Sequence, residues 1–158
     1  MIKLLVGNIA SGKTTFCKEA ALEGDVIVGD DPITMMLHGG NYRLWNKELV
    51  PLYKSVEHHI VHAGVLAGRN VVIDKTNMTR ETRAKYIALA RSMEVDIIAY
   101  EFPQVTPHEH AERRFNADNR DTTHETWLTV AEKFALMYEK PQLEEGFSDI
   151  IYIGNQVC

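Results

Sequence analysis

Gly7-Asn8-Ile9-Ala10-Ser11-Gly12-Lys13-Thr14 has the spacing G-x-x-x-x-G-K-[ST] of a phosphate-binding loop. A polyphosphate carries several negative charges. Glycines let successive backbone N–H groups turn inward, and a helix starting at the loop's end adds a partial positive charge. In this reading Gly7, Asn8, Ile9, Ala10, Ser11, Gly12, Lys13, Thr14 and Thr15 cradle a nucleoside triphosphate. Lys13 reaches the β- and γ-phosphates, and the Thr14 hydroxyl ligates Mg²⁺. The motif does not separate ATP from GTP, or a kinase from an ATPase.

Other groups in the chain suit the chemistry of a phosphoryl acceptor. Asp30 and Asp31 follow a short apolar run, Val26–Val28. A carboxylate there can take a proton from an attacking hydroxyl, and it can equally cap a helix before Pro32. Asp30 is the candidate base and Asp31 the structural neighbour. Asp74 ends the β-branched run Val71-Val72-Ile73, as a carboxylate holding Mg²⁺ through water does. Thr76 and Asn77 follow it as candidate hydrogen-bonding partners of an acceptor, the alternative being a turn capped by Thr79.

Glu112–Arg120 is rich in arginine, and its guanidinium groups are suited to closing over phosphates. Arg114 and Arg120 are the candidates, with Arg113 not separable from Arg114; an exposed charged helix is the competing reading. Tyr42, Arg43 and Trp45 form either a base-stacking platform or a cover over the core. His58 and His62 have i, i+4 spacing, but His59 stands where a zinc-binding helix of the H-E-x-x-H type needs glutamate, so an exposed helix face is expected. Trp127, Phe134 and Tyr138 lie at helical spacing and read as core.

These groups need a scaffold that brings them to one edge. Strands are expected over Ile2–Val6, Val26–Val28, Val71–Ile73, Val95–Phe102 and Ile150–Ile153. Helices are expected from Lys13 to about Leu22, from about Pro51 to Ala67, from Thr79 to Met93, from Pro107 onward, and after Thr122-Thr123-His124-Glu125, which has capping-box spacing. Between Ile33 and Val50 no periodicity stands out. Strands separated by helices require crossovers, so the expectation is one α/β domain spanning 1–158, with a five-stranded parallel sheet and helices on both faces. Ligands in such sheets sit beyond the carboxyl ends of the strands, where the phosphate loop, Asp30 and Asp74 all fall.

Composition narrows the class. The 158 residues are 45% apolar and 25% charged, which excludes a disordered or fibrous chain. No apolar run approaches the roughly 18 residues of a membrane helix. The first residues lack a signal-peptide pattern, and Cys17 and Cys158 do not form a disulfide framework, so a cytoplasmic setting is expected. The net charge of −5 argues against broad electrostatic binding of nucleic acid and leaves room only for a local contact.

The phosphate loop at Gly7–Thr15, Gly29-Asp30-Asp31, the run Val72-Ile73-Asp74-Lys75-Thr76-Asn77-Met78-Thr79, and Arg114–Arg120 with Asn116 between them together cover nearly the whole chain. In order and spacing they resemble the kinase domain of phage-type polynucleotide 5′-hydroxyl kinases and the related P-loop kinase family. The resemblance implies an adenylate-kinase-like P-loop NTPase fold with a helical lid at approximately 107–122. It implies transfer of the γ-phosphate of ATP, with Mg²⁺, to the 5′-hydroxyl of a nucleic-acid end. It assigns Asp30 as base, Lys13 and Thr14 to phosphate and Mg²⁺, Thr76 and Asn77 to the acceptor, and Arg114 and Arg120 to the lid. Pro32 and Ile33 stand where that family carries an arginine for the acceptor's 3′-phosphate; Arg43 is the nearest later arginine. The lid spacing is longer than in the family, and the D-x-D-G-T run of a fused phosphatase is missing. A small-molecule kinase of nucleosides or nucleotides and a nucleotide-dependent binding switch are the rival readings.

Overall fold

The computed structural model describes residues 1–117 and 122–154. Five strands, β1 (Ile2–Val6), β2 (Val26–Gly29), β3 (Val71–Asp74), β4 (Ile97–Glu101) and β5 (Asp149–Tyr152), form one sheet in the order β2-β3-β1-β4-β5. Every neighbouring pair is parallel. The connections carry α1 (Lys13–Leu22), α2 (Asp30–Leu37), α3 (Val50–Leu66), α4 (Arg80–Ser92), α5 (Pro107–Ala117) and α6 (His124–Met137).

β1 is central and reads almost wholly apolar because both of its faces are covered. Ile2, Leu4 and Val6 point into a core shared with Val28, Ile73, Tyr53, Val61, Tyr86 and Ile87 from the α3 and α4 side. Leu5 and Val72 alternate to the other face and pack on Cys17 and Ala20 of α1 and on Phe102. The one charge in β1, Lys3, is neutralised by Asp25 at 2.6 Å, and Asp25 also accepts from Asn70 Nδ2 at 3.1 Å. No helix among the described residues is long and apolar enough to cross a membrane.

The structure departs from the sequence reading between β2 and α3. α2 starts at Asp30 itself, with Gly29 as its N-cap and Asp30 and Asp31 in its first turn, where carboxylates meet the positive end of the helix. Its amphipathicity is hard to read because only Ile33 and Thr34 are buried, while Met35, Met36 and Leu37 stay exposed. Before α6 the cap is Thr123, one residue later than the capping-box spacing suggested; its hydroxyl accepts from Thr126 N at 3.2 Å. β4 begins two residues later than expected, at Ile97, since Glu94 takes a left-handed φ of 53° that closes α4.

Candidate functional site

β1 ends at Val6 and the chain turns at once into the phosphate loop. Gly7 is required by close packing: a Cβ there would lie 2.7 Å from Ser11 Oγ and 2.8 Å from Phe102 Cβ. Gly12 (φ 104°) and Ala10 (φ 47°) take left-handed conformations that curl the loop around its own N–H groups. Lys13, the first residue of α1, folds its ammonium under this curl, where it donates to Gly7 O (2.8 Å), Asn8 O (2.5 Å) and Ser11 Oγ (3.2 Å). Thr14 and Thr15 follow on the exposed start of α1. Asn8 is buried and donates to Ala131 O of α6 at 2.9 Å, which ties the loop to the helical layer above it.

The second strand end on this rim is that of β3. Gly7 N donates to Thr76 O at 3.0 Å, so the phosphate loop and the segment after β3 are held together by main chain. The half-buried Asp74 has its carboxyl pushed above the ordinary range, first by burial and then by the charges of Asp31 and Asp30, with Lys13 and Cys17 opposing. Burial and the same carboxyl push the Cys17 thiol up to about 12, so it stays protonated as a donor to Asp74. Asn77 does not face an acceptor. It is buried with φ 45°, and its amide donates to Leu5 O at 2.8 Å, so it pins the loop to β1. Thr76 remains half-buried at the rim. Asp30, exposed over 64% of its side chain, stands across from this segment and pairs with Lys75 Nζ at 2.7 Å.

Above the rim, α5 and α6 pack on one another. Arg114 of α5 lies 4.9 Å over the Trp127 ring of α6, and its charge acts on Lys13. Arg113 is more exposed and acts on His110 and Glu109. Of the two, Arg114 is the one whose charge is felt at Lys13. Arg120 lies outside the described residues. Arg43, Tyr42 and Trp45 line a cavity of about 690 Å³ together with Asp31, Met35, Asn41, Thr122 and Trp127. Trp127 is therefore part of this site and not simply core; its helical spacing with Phe134 concealed this, because one face of α6 serves both purposes. His58 and His62 stack with centroids 6.4 Å apart on an exposed face, and among the described residues no three His, Cys, Asp or Glu side chains form a metal cage.

Two titrations follow from burial here. Burial lowers Lys13 to about 8, against the pull of Asp74. The free protein thus loses this cation as pH rises through about 8. kcat/KM for the nucleotide is expected to show an alkaline limb near that value, whereas bound phosphates move the limb in kcat to higher pH; initial-rate pH profiles check both. His110, fully buried below the loop, is lowered to about 4, first by burial and then by Lys13 and Arg113. The unfolded chain binds this proton more readily, so stability falls as pH drops from about 6.5 towards 4, by up to about 3 kcal/mol. His110→Leu is expected to flatten that part of the stability curve in denaturant titrations across this pH range.

A glycine-lined loop at the end of a central parallel strand, a buried lysine beneath it, and carboxylates on the adjoining strand ends define the P-loop kinase-like class of nucleotide-binding folds. The chain belongs to the AAA domain family, whose model matches residues 2–137. No curated protein sequence matches it. Among solved structures it is similar to a protein from Chloroflexus aurantiacus with a provisional kinase assignment, at 14% identity and a TM-score of 0.68 over 96% of this chain and 83% of that one. It is also similar to a chain of the Pnkp1/Rnl/Hen1 RNA repair complex, at 20% identity and a TM-score of 0.66 over 87% of this chain and 46% of that one. A fungal RNA kinase gives 16% identity and a TM-score of 0.64 over 96% of this chain and 37% of its own. The chain thus spans less than half the length of the latter two proteins.

Proposed function

We propose that this protein is an ATP- and Mg²⁺-dependent kinase that phosphorylates the 5′-hydroxyl of a nucleic-acid end. The observation that carries the reading is the placement of one carboxylate, Asp30, on the phosphate-loop rim, next to an aromatic cavity that begins at Asp31. A nucleotide switch has no need of that pairing. The cavity of about 690 Å³, walled by Tyr42, Trp45 and Trp127, suits a nucleobase and sugar better than a small hydroxy acid. The RNA repair complex and the RNA kinase among the structural neighbours agree with a nucleic-acid acceptor.

In this mechanism the loop N–H groups and Lys13 hold the β- and γ-phosphates, and Lys13 leaves its loop carbonyls to do so. Asp30 orients the acceptor hydroxyl and takes its proton while the acceptor oxygen bonds to the γ-phosphorus. The bond from that phosphorus to the β,γ-bridging oxygen breaks, and ADP departs. Arg114 takes up negative charge as it develops on the moving group, and Arg120 is the second candidate for this role. The hard oxygen donors Thr14 and Asp74 fit Mg²⁺, which needs only one or two protein oxygens beside phosphates and water. When bound, Mg²⁺ neutralises charge on the β- and γ-oxygens. The setting proposed is cytoplasmic.

The net charge of −5 favours a second reading, in which the acceptor is a free nucleoside or nucleotide. Labelled ATP offered with 5′-hydroxyl DNA, 5′-hydroxyl RNA, nucleosides and nucleotides separates the two. Label on an oligonucleotide 5′ end is the expected result, and label only on the small acceptors overturns the polynucleotide reading. Asp30→Asn is expected to lower kcat by about 10²–10⁴-fold with ATP affinity within about twofold of the native value.

A further inference from the structure

Asp30 lies at the first position of a helix with most of its side chain in solvent. A carboxylate so exposed samples several rotamers unless something holds it. It forms an ion pair with Lys75, whose Nζ sits 2.7 Å from Oδ1. Lys75 is itself only 17% exposed, and its ammonium also pairs with Glu57 of α3. Glu57, 5% exposed, accepts from Tyr86 Oη at 2.5 Å and from Lys85 Nζ at 3.1 Å, both on α4. Burial alone would raise the Glu57 carboxyl, but the bonds from Lys75 and Tyr86 outweigh it and keep the group low, so it is a fixed anion.

Two carboxylates therefore meet at the Lys75 ammonium, Asp30 of α2 and Glu57 of α3, and α4 joins the network at Glu57 through Tyr86 and Lys85. The segment after β3 that carries Lys75 is the one whose Thr76 carbonyl receives Gly7 N of the phosphate loop. Lys75 thus joins the γ-phosphate side of the site to the acceptor side within two residues of chain. It pairs with Oδ1 of Asp30.

We propose that Lys75, anchored by Glu57, is the positioning residue for Asp30. This rests on the reading of Asp30 as the base. The ammonium fixes the carboxylate in one rotamer at one distance from the phosphate loop. Two carboxylates, Asp30 and Glu57, hold the ammonium, so its action on the reaction runs through Asp30. Displacements of about 1 Å in a reacting group cost roughly 10²-fold in rate, which sets the scale of the effect.

The test measures kcat and KM for ATP, with thermal melting, in Lys75→Met, Lys75→Arg, Asp30→Asn and Asp30→Asn/Lys75→Met. Lys75→Met is expected to lower kcat by about 10²-fold with KM for ATP within about twofold, and Lys75→Arg to recover most of the loss. In the Asp30→Asn background, Lys75→Met is expected to cost nothing further, because residues acting as a unit are non-additive. Should Lys75→Met melt early because the buried Glu57 loses its Lys75 partner, the pair Glu57→Gln/Lys75→Met removes that charge and must show the same loss of kcat. Full kcat in Lys75→Met, or losses that multiply with Asp30→Asn, overturns the proposal while leaving Asp30 as base. A fully active Asp30→Asn overturns the base reading and this proposal with it.

Discussion

Lys13→Met is expected to abolish phosphoryl transfer without weakening the fold. The charge that Lys13 brings to the β- and γ-phosphates is lost. Removing a single preorganised donor of this kind costs about 10²–10³-fold in kcat, and ATP binding weakens as well because the same cation grips the ground state. Stability runs the other way. The ammonium is buried against two backbone carbonyls and a hydroxyl, and burial pulls its pKa down to about 8. A shift from about 10.5 means that the fold pays on the order of 3 kcal/mol to keep Lys13 charged at neutral pH. Met keeps the aliphatic stem and removes the charge, so the melting temperature is expected to stay level or rise. Calorimetry beside a labelled-ATP transfer assay reads both effects. A variant that loses activity only because it unfolds would contradict the assignment of Lys13 as a strained functional cation.

Arg83→Leu is expected to be the most destabilising single change in the described structure. Arg83 is fully buried on α4, and its guanidinium forks onto Glu145 with Nε–Oε2 and Nη2–Oε1 both at 2.8 Å. Its remaining nitrogen, Nη1, donates to Asn77 O (3.1 Å) and Glu139 O (2.9 Å). The substitution takes the guanidinium from the Glu145 carboxylate, 5% exposed, which keeps only Gln142 N and the more distant Arg80, and leaves two carbonyls without their donor. Breaking a buried pair from one side costs about 3–5 kcal/mol, or roughly 6–20 °C in melting temperature at this chain length. Arg83→Leu/Glu145→Leu, with no charge left behind, is expected to recover much of this in a denaturant titration. Asn77 belongs to the segment that carries Asp74, Lys75 and Thr76. The single variant is therefore expected to lower turnover below what its folded fraction allows.

How much of the site could be read in advance depends on where its parts come from. The phosphate loop was legible because eight consecutive residues make it, each with a local backbone reason. Asp30 and Asp74 were legible as candidates because both end short apolar runs, and parallel strands put such ends on one rim. α2 was obscured by Met35, Met36 and Leu37, which face solvent instead of completing a stripe. Asn77 looked like a free amide until the left-handed turn sent it back to Leu5. Trp127 looked like core because helical spacing reports a buried face and not what lies across from it. Lys75 and Glu57 carry no motif of their own, and only the fold brings them together.

What the order of residues determined by itself is the class of machine: a βαβ start with a glycine-bounded loop and a lysine at its end folds into a phosphate cradle from contacts a few positions apart. What only the tertiary structure decided is which residues gather around Asp30 and the aromatic cavity beside it. Lys75, Glu57 and Asp30 come from positions 18 to 45 residues apart, and Trp127 closes on Tyr42 and Trp45 across the whole domain. Local propensity carries no information about such pairings. They exist because the sheet order β2-β3-β1-β4-β5 brings those strand ends and helices together, and burial then selects which charges meet.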